Sequence, residues 1–247
     1  MRALLLCGGF ATRLEPITYF IPKPLLPIGV GGKPIVEYIL DDLVSSGVTE
    51  IVLSTNAKFS NAFEYWTKNQ LDGSEATVQM VVEHTTGNHE KFGAIKGIEY
   101  AIEQAKIDED LIIIAGDNLY DFSVKEILDY FGKHRHPTIG LYDMKDLEGA
   151  KRMGNAEIVG DKVVSFVEKP KHPKSTLIGI AMYLIPKEML NTFSEYLSEK
   201  NNPDGMGNFI EWLIKKTEVK GFVFHGNWHD IGTLETYKKV FDEYGKK

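Results

Sequence analysis

Unbroken apolar runs alternate along this chain with stretches where apolar residues recur every three or four positions. The first run, Ala3–Leu6, predicts a buried strand. From Pro34 to Ser46, Val36, Ile39, Leu40 and Leu43 fall at helical spacing; Pro34 suits the first turn and Gly47 the stop. Glu50–Ser54 predicts a short buried strand, and Ser60–Asn69 a helix with Phe63 and Trp66 on one side. Thr77–Glu83 predicts a strand. Gly93–Ala105 predicts a helix whose apolar face is Ile95, Ile98 and Ile102 with three alanines. Leu111–Ala115 reads as a central strand, because a strand buried on both faces carries no polar alternation. Strands and helices in turn imply an α/β fold, with a parallel sheet and helices on both faces. Such sheets bind ligands at the carboxyl ends of their strands, where Gly8, Glu83 and Asp117 fall.

After about Gly149 the pattern changes. Asn155–Val159 and Lys162–Glu168 flank Gly160-Asp161 and predict a hairpin. Leu177–Ile185 and Val219–Phe224 predict strands. Lys187–Ser198, Met206–Lys215 and Thr233–Tyr244 predict helices. No internal repeat is visible, and no six-residue β-helix repeat closes the sequence. The expectation is one compact unit over 1–247, with halves meeting near residue 120.

At 247 residues and 43% hydrophobic content, the chain can bury a sizeable core. Its net charge of −7 argues against nucleic acid as a partner, since no basic excess is available to displace counterions. A few cations in one cleft can still hold an anionic ligand on an acidic protein. Cys7 is the single cysteine, so an intrachain disulfide is ruled out; at a strand end it reads as a small buried hydrophobe. Glycine and charge follow the N-terminal apolar run too soon for a signal peptide, and no run reaches membrane-spanning length. A cytoplasmic protein with no membrane partner is expected.

The chemistry begins where the first strand ends. Gly8-Gly9 is followed by Thr12 and Arg13, then by Lys23 in Pro22-Lys23-Pro24-Leu25-Leu26-Pro27. Glycines allow positive φ and close approach to phosphate oxygens, and successive N–H groups form a concave anion site. Arg13 adds a planar fork and Lys23 a point charge. The bland alternative is a simple turn with solvated cations, but the full set opening from a strand favours a triphosphate loop. Asp117 follows Gly116, read as a glycine that lets ligand in, and suits either a divalent metal or a turn cap. Asp230, in Trp228-His229-Asp230-Ile231-Gly232-Thr233, is a second metal carboxylate or a helix cap; Thr233 could do the capping instead. Glu168-Lys169 is a hydroxyl-reading acid beside a phosphate-neutralising lysine, or an exposed ion pair of little worth.

The run G-G-x-x-T-R-L-x-P-x-T followed by P-K-P-L-L-P resembles the signature of sugar-1-phosphate nucleotidyltransferases, most closely glucose-1-phosphate thymidylyltransferases and their uridylyl relatives. Later landmarks extend the resemblance over nearly the whole chain: Gly116-Asp117, Glu168-Lys169-Pro170 and W-x-D-x-G-T at Trp228–Thr233. It implies a Rossmann-like, mostly parallel mixed sheet with an inserted hairpin, and a nucleotide-binding half followed by a sugar-binding half. It implies nucleotide contacts at Leu6, Gly8, Gly9, Thr12, Arg13, Lys23, Glu83 and Gly93. Gly154, Glu168, Lys169 and Gly179 would meet the sugar phosphate, and Asp117 and Asp230 would bind Mg²⁺. Arg13, Lys23 and Asp117 would carry catalysis. The partners implied are a nucleoside triphosphate and a sugar 1-phosphate, with homo-oligomer formation left open. Two positions depart from the family. Glu83 stands where a glutamine is common, and Pro24 replaces a base-contacting glutamine; the loop 84–92 is also long. An ionised Glu83 is acceptor-only, which suits the ring N–H of uracil or thymine (and of guanine). His84 and His89 read as polar loop residues, His229 as structural or solvent-facing.

Overall fold

The computed structural model describes residues 1–71 and 73–244. In chain order its elements begin with β1 (Arg2–Leu6), β2 (Pro27–Ile28), β3 (Lys33–Pro34), α1 (Ile35–Ser45), β4 (Glu50–Asn56) and α2 (Ser60–Gln70). Next come β5 (Thr77–Glu83), α3 (Ala94–Ala105), β6 (Leu111–Ala115), β7 (Asn118–Tyr120), α4 (Val124–His134) and β8 (Thr138–Asp143). The remainder is α5 (Leu147–Ala150), β9 (Gly154–Val159), β10 (Lys162–Glu168), β11 (Leu177–Ile185), α6 (Thr192–Ser198), α7 (Met206–Lys216), β12 (Lys220–Phe224), β13 (Trp228–Asp230) and α8 (Leu234–Tyr244).

One nine-stranded sheet runs through the molecule in the order β5-β4-β1-β6-β11-β8-β12-β10-β9. The first four strands are mutually parallel; β11 and β10 run against their neighbours. This is the mixed, mostly parallel α/β sheet expected. Alternation along β1 shows how it is covered. Ala3 and Leu5 enter the core formed with α1, α2 and α4, while Leu4 enters the opposite core formed with α3, α6 and α7. Because both faces are covered, the run Ala3–Leu5 is wholly buried. A third, smaller core joins Leu14, Leu26 and Ile28 to Leu119, Ile231 and Val240, tying the loop after β1 to the last helix.

The structure differs from expectation in several places. Residues 118–150 hold β7, α4, β8 and α5, where the apolar pattern assigned nothing. The signal for α4 was present: Ser123 caps it by accepting from Lys125 N, and Val124, Ile127 and Phe131 form its buried stripe. Gly140 interrupts the reading of β8; a Cβ there would lie 3.1 Å from Met182 Cβ and 3.2 Å from Phe224. The helix expected over Lys187–Ser198 is a 3₁₀ turn followed by α6, with the Thr192 hydroxyl donating back to Met189 O at 2.6 Å. Pro34 sits just outside α1, extended and bridging to Pro27.

Candidate active site

The parallel register delivers four chain turns to one edge of the sheet. β5 ends at Glu83, β4 at Asn56, β1 at Leu6 and β6 at Ala115. Two bonds fix the loop after β1: Cys7 N donates to Ser54 O (2.7 Å), and Asn56 Nδ2 donates to Gly8 O (2.9 Å). Neither Gly8 nor Gly9 takes positive φ. That conformation falls instead on Ala11, at φ 47°, whose carbonyl accepts from Leu14 N and from the Thr18 hydroxyl, both at 2.9 Å. The reading of Gly116 as an opening for ligand is also corrected. Its N–H donates to Leu6 O at 2.9 Å, and a Cβ there would collide with Cys7 Sγ, so this glycine locks the end of β6 against β1. Cys7 is buried, and burial, with Asp117 nearby, pushes its thiol up, away from nucleophilic use.

Three cavities lie side by side along this edge. The middle one, about 250 Å³, is walled by Leu6, Gly9, Arg13, Lys23 and Asp117. Lys23 is 8% exposed, and its Nζ donates to Asp117 Oδ2 at 2.8 Å. On one side lies a cavity of about 240 Å³, lined by Leu6, Gly8, Gly9, Glu83, Gly93 and Asp204. On the other lies one of about 720 Å³, lined among others by Arg13, Arg152, Lys169, Trp228 and Asp230. The middle cavity shares Leu6 and Gly9 with the first neighbour, and Arg13 and Gly232 with the second. The three therefore form one groove.

Asp117 and Asp230, distant in sequence, are brought together by the β7–β13 ribbon, which sets Asp230 opposite Asn118. Asn118 anchors the ribbon, donating to Ile180 O (2.6 Å) and accepting from Trp228 Nε1 (3.0 Å). A Cβ at Gly232 would lie 3.2 Å from Asp230 Oδ2 and 3.6 Å from Arg13 Nη1, so this glycine lets the carboxylate and the guanidinium close in. Thr233 caps α8, accepting from Thr236 N, which leaves Asp230 out of that role. Among the described residues no group of three or more His, Cys, Asp or Glu could hold a metal. A pair of carboxylates beside a phosphate-sized, cation-lined space fits an ion such as Mg²⁺, which takes one or two protein carboxylates and fills its shell with phosphate oxygens and water.

Glu83 occupies a niche made by two missing side chains. A Cβ at Gly97 would lie 2.7 Å from its Oε1, and one at Gly8 3.3 Å. Gly97, on the sheet-facing side of α3, was not singled out from sequence; a glycine inside an otherwise apolar helix face was the available signal. Burial pushes the Glu83 carboxyl up to about 7, opposed only by the Ser54 hydroxyl at 3.5 Å. Between the ordinary carboxylate range and 7 the native state therefore holds a proton that the unfolded chain has released. Stability from this group is complete at low pH and lost as pH rises through 7. Glu83→Gln is expected to melt progressively higher than wild type as pH is raised from 5 to 8. A melting difference that is flat over this range would reject the assignment.

The loop 84–92 and the segment 202–207, neither given a role from sequence, meet over the Glu83 cavity. Lys91 Nζ pairs with Asp204 at 2.6 Å, and Pro203 O accepts from Ile95 N at 2.9 Å. His84 and His89 are exposed loop residues, whereas His229 is half-buried in the wall of the largest cavity.

Thr12 is exposed on its turn and lines none of these three cavities. Gly154 lies opposite Glu168 in the hairpin. Both Gly154 and Gly179 face the Phe166 ring, 2.6 and 3.0 Å from where their Cβ atoms would lie. Packing thus accounts for both glycines. Glu168 is half-buried, abuts the backbone of Gly207 at the start of α7, and has Oε1 3.7 Å from Lys169 Nζ. Lys169 holds φ 46°, and its N–H donates to Met153 O at 3.1 Å.

A glucose-1-phosphate adenylyltransferase of Mycoplasma mobile is 28% identical over 96% of this chain. The bifunctional protein GlmU of Methanocaldococcus jannaschii is 27% identical over 98% of it. The chain spans 65% and 55% of the lengths of these two relatives. Among solved structures, a UDP-glucose pyrophosphorylase complexed with UDP-glucose has a TM-score of 0.83 at 21% identity, covering 99% of this chain and 98% of that one. The family model described as nucleotidyl transferase matches residues 2–247, and the chain belongs to that family.

Proposed function

We propose that this protein transfers a nucleotidyl group from a nucleoside triphosphate to a sugar 1-phosphate, with dTTP or UTP as donor and glucose 1-phosphate as acceptor. The observation that carries this reading is the single groove of three cavities. It has a buried acceptor group at one end, cations and a carboxylate in the middle, and further cations at the other end. A phosphate oxygen of the sugar phosphate attacks the α-phosphorus, its bond to the bridging oxygen breaks, and pyrophosphate leaves in line. Such a reaction asks for positioning and charge neutralisation, not a protein nucleophile.

In this reading Arg13 and Lys23 hold the triphosphate and the departing pyrophosphate. Lys169 neutralises the attacking phosphate, and Glu168 accepts from sugar hydroxyls. Asp117 and Asp230 are the residues that would hold Mg²⁺, which when bound neutralises charge at the α-phosphate. Leu6, Gly8, Gly9 and Gly93 shape the nucleoside end. Glu83, when ionised, accepts the ring N–H of uracil or thymine. Its carboxyl at about 7 favours a second donor under acidic conditions, because the protonated acid could donate to N3 of cytosine.

Pyrophosphate release with Mg²⁺, assayed over dTTP, UTP, CTP, ATP and GTP against a panel of sugar 1-phosphates, tests the proposal. Turnover is expected with dTTP or UTP and glucose 1-phosphate. Turnover confined to ATP, whose base has no ring N–H to offer, would overturn the assignment of an ionised Glu83 to the base; turnover confined to GTP would keep that contact and overturn dTTP or UTP as donor. Silence across the panel, with nucleotide binding intact, would point instead to a nucleotide-sensing subunit on this fold.

A further inference from the structure

The largest cavity of the groove holds a cation that the proposed reaction has not used. Arg152 lies in the turn between α5 and β9 and lines the same cavity as Lys169, Arg13 and Asp230. Its neighbour Met153 accepts the Lys169 N–H through its carbonyl at 3.1 Å, so the two basic residues are carried on backbones tied together. Acids near Arg152 in sequence are committed elsewhere. Glu148 pairs with Lys151 at 2.6 Å, Asp146 caps α5 by accepting from Glu148 N, and Asp143 accepts from the Thr176 hydroxyl and Lys145 N. Lys239, also in this wall, faces Glu243 at 3.9 Å. Among the described residues, the cavity wall thus carries Arg13, Arg152, Lys169 and Lys239 against the carboxylate of Asp230, on a chain of net charge −7.

A lysine meets a phosphate dianion as a point charge and does not by itself fix its orientation. The Lys169 side chain is 67% exposed, and its charge is already shared with Glu168 at 3.7 Å. A guanidinium presents parallel N–H donors that match two phosphate oxygens at once. We infer that Arg152 is the second cation of the acceptor end, gripping with Lys169 the phosphate of the incoming sugar phosphate; this rests on the proposed transferase reading. Arg152 then fixes the attacking oxygen, while Arg13 and Lys23 serve the triphosphate. The acceptor site recognises a phosphate monoester through two side chains from the two sides of the β9–β10 hairpin entrance.

Calorimetric titration with inorganic phosphate, alongside steady-state kinetics, tests this for wild type, Arg152→Gln, Arg152→Lys and Lys169→Gln. Arg152→Gln is expected to weaken phosphate binding at least tenfold at the site that Lys169→Gln also weakens. It should also raise KM for the sugar phosphate at least tenfold while leaving KM for the nucleotide within about twofold, with Arg152→Lys falling between. Phosphate bound equally well by wild type and Arg152→Gln would overturn the inference, and so would equal rises in both KM values. An enzyme that binds phosphate through Arg152 but turns over no nucleotide–sugar pair would strike down the transferase reading and leave the phosphate site standing.

Discussion

Asp117→Asn is expected to lower pyrophosphate release by a hundredfold to a thousandfold or more while leaving the protein folded. Removing a preorganised charge from a reacting phosphate typically costs on the order of 10²–10³ in rate. The fold should survive because of what Asp117 touches. Lys23 is nearly buried and donates to Asp117 Oδ2 at 2.8 Å, and an asparagine keeps one oxygen for that bond. The bond changes from charge-assisted to ordinary, worth about 1 kcal/mol, which is a fall in Tm of roughly 2–4 °C for a domain of this size. The side chain of Asp117 is 40% exposed, so water can serve what asparagine does not. Wild-type turnover in the variant would remove Asp117 from the reaction. Collapse of the fold would mean that the Lys23–Asp117 pair is chiefly structural.

Of the strands at the proposed nucleotide end, β1 and β6 were legible because burial on both faces makes them uninterrupted apolar runs, as in Leu4-Leu5 and Leu111–Ile114. Arg13, Asp117, Glu83 and Gly93 could be placed in the groove because each lies at or soon after the end of a parallel strand or just before a helix, and Lys23 because its proline-flanked run continues the loop from β1. Geometry that depends on non-local packing was hidden. Nothing in the one-dimensional pattern distinguishes Gly116, held against Cys7, from a glycine that admits a ligand. The left-handed residue of the loop is an alanine, held there by Thr18, where composition pointed to Gly8-Gly9. Likewise, the wall supplied by Asp204 and Lys91 exists only because a loop after β5 meets a loop before α7. Residue type suggests a role only where local sequence also sets position; Arg152, in a turn beyond a missed strand, had no such marker.

Gly93→Ala should be the most destabilising single-methyl change at the groove. Gly93 stands before α3 with φ 84° and ψ 159°, a region open to glycine alone. A Cβ there would lie 2.6 Å from Pro203 O and 2.7 Å from Asp204 Cα, which are backbone atoms that cannot rotate away. The segment they belong to is pinned by Ile95 N donating to Pro203 O and by Lys91 pairing with Asp204. Conformational strain and the clash together should cost about 3 kcal/mol or more, a Tm fall of roughly 6–12 °C. Relief comes only by moving 202–205 outward, which breaks the Lys91–Asp204 contact and opens the cavity at Glu83. Nucleotide affinity should therefore fall with stability. Gly9→Ala is the matched control, since nothing lies within 4 Å of its added methyl and its φ is not left-handed, so its Tm should stay near wild type. A Gly93→Ala protein that melts like wild type and binds nucleotide normally would show that the 202–205 segment yields without cost, and that the groove does not depend on it for its shape.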